Sequence, residues 1–149
     1  MSDESCSLCS ATLAPVIAES EYWRLILNHN QNLLGKCFLV LRRHLEAVSE
    51  LTLGEWTDLH GQIARTTQAL NAALAPDHFN YAFLQNQDRH VHLHIIPRYA
   101  NSRIFAGVTF EDQDYPGHYA VPGSVRHLAP DQVEALVQRL QAAFAAVTT

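Results

Sequence analysis

Apolar and polar positions follow two rhythms along this chain, one with the period of a strand and one with the period of a helix. Residues 21–27 form a short, mostly apolar run from Glu21 to Leu27 that predicts a strand. The polar stretch Asn28-His29-Asn30-Gln31-Asn32 predicts a turn. Gly35 then opens a second predicted strand over 36–42. Thr52 and Glu55 have the spacing of a helix-starting capping box. Behind them Trp56, Leu59, Ile63, Leu70 and Leu74 recur at close to helical spacing through about residue 75, where Pro76 and Asp77 end the helix. Residues 79–85 and 90–98 predict two further strands, joined as a hairpin by the polar turn from Asn86 to Arg89. Residues 100–127 contain Gly107, Pro116, Gly117, Pro122 and Gly123 and are expected to be irregular surface structure. Asp131 to Ala145, behind Pro130, is a second amphipathic helix. The order strands, helix, strands, helix suits an α+β fold: an antiparallel sheet of about five strands with helices packed against it.

The chain has 149 residues, the size of one domain, so residues 1–149 are read as a single unit. Its net charge of −5 argues against a general nucleic-acid binder, which needs a basic surface to displace counterions. An anionic ligand must therefore be held by local devices. No run is apolar and long enough to span a bilayer, so no membrane partner is expected. Met1 to Ser5 is polar and acidic and has no signal-peptide pattern, which makes the cytoplasm the expected location. Cys6, Cys9 and Cys37 are the only cysteines, and an odd count is not a disulfide framework.

Nine histidines are many for this length, and three of them alternate: His90-Val91-His92-Leu93-His94-Ile95-Ile96-Pro97. On a strand, alternation puts His90, His92 and His94 on one face and Val91, Leu93 and Ile95 on the other, towards the core. Pro97 ends the ladder or marks an edge. Three imidazoles crowded on an otherwise apolar strand risk mutual repulsion, which is costly for a scaffold and usual for a functional site. From the residues alone, two chemistries remain open: a metal centre and a nucleophile.

With apolar residues between the histidines, this segment resembles the motif of the histidine-triad (HIT) family of nucleotide hydrolases and transferases. Pro97-Arg98-Tyr99 after it also occurs there. Gly35, Phe38-Leu39-Val40 and Arg42-Arg43-His44 resemble the family's upstream block, and Thr52-x-x-Glu55 starts a helix at the family's usual place. The resemblance covers about residues 6–100. It implies that His92 is the nucleophile, forming a nucleotidyl-histidine, with a backbone carbonyl, that of His90, fixing its tautomer. It implies that His94 donates to the phosphate oxygens and that Asn28 contacts the ribose. It implies a two-fold dimer, with the helix from Thr52 to Ala75 and the strand from Phe79 at the interface. Substrates of this kind include diadenosine polyphosphates and nucleotide phosphoramidates, and the chemistry itself requires no metal. The chain departs from the pattern where Lys36 replaces a histidine, Leu41 replaces a proline, and residues 85–89 lack glycine. Asn86 stands in the place of a phosphate- or nucleophile-orienting glutamine and is shorter. Two other readings stay open: a metal-dependent enzyme using His90, His92 and His94 as ligands, and a non-catalytic nucleotide sensor.

Cys6-x-x-Cys9 has the gap of a zinc knuckle, although a reducible disulfide or two small apolar residues have the same spacing. The resemblance implies that His44 and His90 complete a Cys-Cys-His-His structural zinc site. Cys37 is expected to be buried packing, Arg98 and Arg103 surface arginines, and Trp23 and Trp56 core.

Overall fold

In a computed structural model, residues 5–10 and 15–147 are described. Five strands form one antiparallel sheet: β1 (Val16–Glu19), β2 (Trp23–Leu27), β3 (Cys37–Leu41), β4 (His78–Ala82) and β5 (His92–Arg98), in spatial order β1-β2-β3-β5-β4. Helix α1 (Leu53–Leu74) connects β3 to β4, and α2 (Pro130–Ala146) follows the second half of the chain.

The predicted α+β architecture is the observed one. Period-two alternation sorts each central strand. Leu25, Leu27, Cys37, Leu39, Leu41, Val91, Leu93 and Ile95 join Leu59, Leu70 and Leu74 of α1 and Leu136, Leu140 and Phe144 of α2 in one core. Burial of apolar surface on this scale, at about 25 cal/mol per Å², is what holds the helices to the sheet. The opposite face carries Phe38, Val40 and Ile26, which pack with Cys6 and Leu8 of the N-terminal segment. His92 and His94 lie on this second face, away from the helices.

The local signals act as expected at the ends of α1. Thr52 Oγ1 accepts from Glu55 N at 3.1 Å, and Glu55 Oε2 accepts from Thr52 N at 2.8 Å. Ala75 closes the helix in the left-handed region, at φ 49°. Gly35 has φ +87°, and a Cβ there would lie 2.7 Å from Leu74 Cδ1, so the turn into β3 needs glycine on both counts.

Several expectations are corrected. Strand β1 is absent from the sequence reading because Val16-Ile17-Ala18-Glu19 is too short to show a period. Residues 100–127 are not wholly irregular: β6 (Arg103–Phe105) and β7 (Val108–Phe110) pair as a small hairpin. Its turn residues Ala106 and Gly107 both have positive φ, 49° and 78°. Such two-residue turns are normally announced by Asn-Gly or Asp-Gly, and Ala-Gly hides this one. The link between β4 and β5 runs over 83–91, longer than the expected turn, although the two strands do pair, Ala82 opposite His94. Trp23 is fully buried, but Trp56 is 41 % exposed and meets Phe83 edge-on. Pro97 lies where β5 has already left β3, whose pairing ends at Cys37 opposite Ile95. Its missing N–H therefore costs no bond on that side.

Candidate functional site

The site is built on β3 and β5. Their register sets Phe38 opposite His94 and Val40 opposite His92. The Phe38 ring stands edge-on to both imidazoles, with centroids 5.3 Å from His92 and 4.6 Å from His94. The two imidazole centroids are 4.9 Å apart. Phe38 thus walls the pair from the sheet side and dries it.

The three imidazoles lie on the face opposite Val91, Leu93 and Ile95, but they divide into two groups. His90 precedes β5, is fully buried, and turns its ring into the Cys6 and Cys9 cluster. His92 and His94 remain as the pair. The backbone still couples the two groups: His92 Nδ1 lies 2.6 Å from the His90 carbonyl oxygen. That geometry makes Nδ1–H the donor and leaves Nε2 as the lone-pair nitrogen. Among the described residues Nε2 has no protein partner.

Burial, opposed by the His90 carbonyl, holds the His92 pKa below its ordinary value. Burial, together with His92 and Lys36, pushes His94 down to about 4. Both rings are therefore held towards the neutral form at pH 7, so repulsion between His92 and His94 does not arise.

Residues 28–36 frame one end of this surface. Gln31, almost fully buried, is the centre of that turn. Its Nε2 donates to the carbonyls of Asn28 and Lys36, each at 2.8 Å, and its Oε1 accepts from Gly35 N at 2.8 Å. Asn28 Oδ1 accepts from Asn30 N at 2.9 Å. Asn28, Asn30, Asn32, Lys36, His94, Ile96 and Tyr119 line a cleft of about 150 Å³. Beyond Asn32 and Tyr119 a larger cavity of about 640 Å³ continues past Asp114 and Arg126. Asn28, Lys36 and His94 thus share a wall. Asn86 instead lies in a separate depression with Glu46, Gln85 and Arg89.

Arg98 is not a surface arginine: it is 2 % exposed. It pairs with Asp112 at 2.7 and 3.1 Å and also donates to Asn80 Oδ1 and the Gly117 carbonyl. Buried charges persist when so fully paired, and this one pins the segment carrying Tyr119 over the cleft. Gln31 and Tyr119 carried no sequence signal, because neither belongs to a motif or a periodic run. Cys37 is buried, and burial pushes its thiol up to about 12, so it is inert packing as expected.

Cys6, Cys9, His44 and His90 form the second group. Their ligand atoms all lie within 4.8 Å of one another, an arrangement able to hold a metal ion. His90 Nδ1 is 3.4 Å from both Cys6 Sγ and Cys9 Sγ, and His44 Nδ1 is 3.3 Å from Cys9 Sγ and from His90 Nδ1. Tetrahedral zinc bonds of about 2.0 Å to nitrogen and 2.3 Å to sulfur imply ligand separations of about 3.3–3.8 Å. The donor set and the spacing both fit. His90 Nε2 lies 2.6 Å from the Leu41 carbonyl, so that nitrogen carries the proton and Nδ1 faces the cluster.

Known proteins share this fold. A histidine triad protein from Marinobacter aquaeolei has a similar fold, with 19% identity, 89% of this chain and 90% of that chain covered, and a TM-score of 0.72. A zinc-bound histidine triad family protein from Mycobacterium smegmatis has 21% identity over 97% of this chain and 96% of its own, with a TM-score of 0.67. Diadenosine triphosphate hydrolase from Plasmodium falciparum, solved with cyclomarin A, has 17% identity over 88% and 74%, with a TM-score of 0.60. No curated protein matches the chain. The family model described as HIT domain matches residues 12–101, a span that holds the turn, both site strands, α1 and His44 to His94, and the chain therefore belongs to the HIT domain family.

Proposed function

We propose that the protein is a nucleotide hydrolase or nucleotidyl transferase that cleaves a phosphoanhydride or phosphoramidate bond through a nucleotidyl-histidine on His92. The observation that carries this is the 2.6 Å contact between His92 Nδ1 and the His90 carbonyl. It gives a buried, neutral imidazole a fixed tautomer with Nε2 free to attack phosphorus. Nε2 forms a bond to the α-phosphorus as the bond to the leaving group breaks. Water or another acceptor then displaces Nε2, restoring the imidazole. Nδ1–H stays on the His90 carbonyl and offsets the positive charge that His92 gains in the intermediate. His94, also neutral, donates its one N–H to a phosphate oxygen. Asn28, at the far end of the same wall, contacts the ribose through its amide nitrogen, since its oxygen is engaged by Asn30. Asn86, in the loop before His90, is assigned to the leaving-group side, which sets that side towards the depression it shares with Gln85 and Arg89. That one structural neighbour is a diadenosine triphosphate hydrolase supports dinucleoside polyphosphates as a substrate class.

The four-residue cluster is read as a structural zinc site held by Cys6, Cys9, His44 and His90. Zinc there supplies a cross-link between the N-terminal segment and the sheet. It takes no part in bond breaking. Zinc thiolates require reduced cysteines, which fits a cytoplasmic location.

The test is turnover of a diadenosine polyphosphate and an adenosine phosphoramidate with EDTA present. Activity that survives brief chelation is expected. Activity lost to EDTA and restored by metal at unchanged melting temperature would favour the metal-dependent alternative. Binding without turnover of any substrate would favour the sensor.

A dimer belongs to the same reading. β4 is an edge strand, Tyr81 on it is 48 % exposed, and Leu53 and Trp56 at the start of α1 are also exposed. An open edge beside exposed apolar side chains is a pairing surface. Light scattering is expected to give twice the 16.7 kDa chain mass at micromolar concentration. A mass of one chain would count against it.

A further inference from the structure

The cleft that the proposed chemistry needs has a charge problem. A nucleotide phosphate is anionic, the protein is net negative, and His94, the imidazole that lines the cleft, is held neutral by burial. Among the residues that line the cleft with His94 and Asn28, one carries a positive charge at neutral pH, Lys36.

Its placement follows from register. Phe38 opposes His94, so Lys36, two residues before Phe38, lies on the same face, and it lines the cleft with Ile96 and His94. His94 feels the charge of Lys36 directly. Lys36 Nζ donates to Asn32 Oδ1 at 2.7 Å, and no carboxylate pairs with it among the described residues. An ammonium has three donors, so two remain for a ligand. Asn32 is neutral and fixes the amine without cancelling its charge. The turn that presents Lys36 is held from below by Gln31, which binds the Lys36 carbonyl. A half-buried cation with a neutral partner, aimed at a cleft, is costly unless an anion completes it.

We propose that Lys36 is the cation that binds the substrate's α-phosphate, bridging the nucleoside end of the cleft to His94 and setting this site's preference for nucleotides over nucleosides. The inference rests on the proposed function and deepens it. Lys36 is here a binding residue: it holds a phosphate oxygen on the side away from the attacking nitrogen.

Burial lowers the Lys36 pKa to about 8. The titratable groups facing it are His94 from β5, with His92 behind it, and Tyr119 from the segment above; Asn28, Asn30 and Asn32 are uncharged. A ligand phosphate that pairs with the ammonium therefore loses its partner as pH rises through that region.

The experiment is calorimetric binding of AMP and GMP, with adenosine and guanosine as matched probes, to wild type, Lys36→Gln and Lys36→Arg. In wild type the nucleotide is expected to bind roughly 10- to 100-fold tighter than its nucleoside, the range for a charge-assisted contact. Lys36→Gln is expected to erase most of that gap while leaving nucleoside affinity within about twofold, which also reports an intact fold. Lys36→Arg is expected to restore the gap. Above pH 8 the wild-type gap is expected to narrow, whereas that of Lys36→Arg stays constant. If Lys36→Gln keeps the wild-type gap, or wild type binds nucleotide and nucleoside equally, the assignment of Lys36 is wrong and the nucleotide site still stands. If wild type binds neither nucleotides nor nucleosides, the proposed function fails, and the assignment with it.

Discussion

Replacing His92 with asparagine is expected to lower turnover by roughly four orders of magnitude or more while changing nucleotide affinity only about threefold. Asparagine occupies similar volume and keeps an N–H for the His90 carbonyl, but it has no lone pair able to attack phosphorus. The contribution lost is made in the transition state alone, because ribose and phosphate are held by other groups. His94→Ala is a milder change. It removes one hydrogen-bond donor, a loss typically worth about 3–4 kcal/mol in the transition state, or a few hundredfold in rate. Single-turnover rates of the two variants with a diadenosine polyphosphate, alongside calorimetric affinities for AMP, measure both effects. Near-normal turnover by the His92 variant would remove the covalent route.

Cys9→Ser is expected to lose the metal and to melt about 10 °C or more below wild type, given about 2–4 °C per kcal/mol for a chain of this size. The effect is large because Cys9 Sγ touches both His44 Nδ1 and His90 Nδ1, so one change opens two contacts of the cluster. His90 also carries the carbonyl that orients His92, so the activity of the variant should fall along with its stability. Metal analysis of purified protein should find about one zinc per chain, the content of one four-ligand site. Wild type with no metal, or metal-free protein of undiminished melting temperature, would contradict the structural role.

What could be read from sequence alone follows physical range. The capping box at Thr52 and Glu55, the ends of α1 and the inward alternation of Val91, Leu93 and Ile95 are local matters, and the residues themselves announce them. Strand β1 and the β6–β7 hairpin escaped because a four-residue strand is too short to show a period and Ala-Gly is a quiet turn. Contacts between distant segments escaped for a different reason. Arg98 looks like any arginine after a strand until Asp112 is folded against it. Gln31 looks like one polar turn residue among five until its amide is seen bonding three backbone groups. The resemblance brought Cys6, Cys9, His44 and His90 together on paper, and the fold gathers the same four side chains. Lys36 was visible only as a departure from a pattern. Its significance needed the register that sets it near His94 and the cleft that the two residues share.

The most direct test of the covalent account is the stereochemical course at phosphorus. A dinucleoside polyphosphate carrying an α-phosphorothioate of one configuration is turned over in ¹⁸O-water, and the configuration of the thionucleotide product is determined. Attack by His92 and then by water are two in-line displacements, each inverting the centre, so net retention is predicted. Net inversion would mean that water attacks phosphorus directly, and His92 would not be the nucleophile.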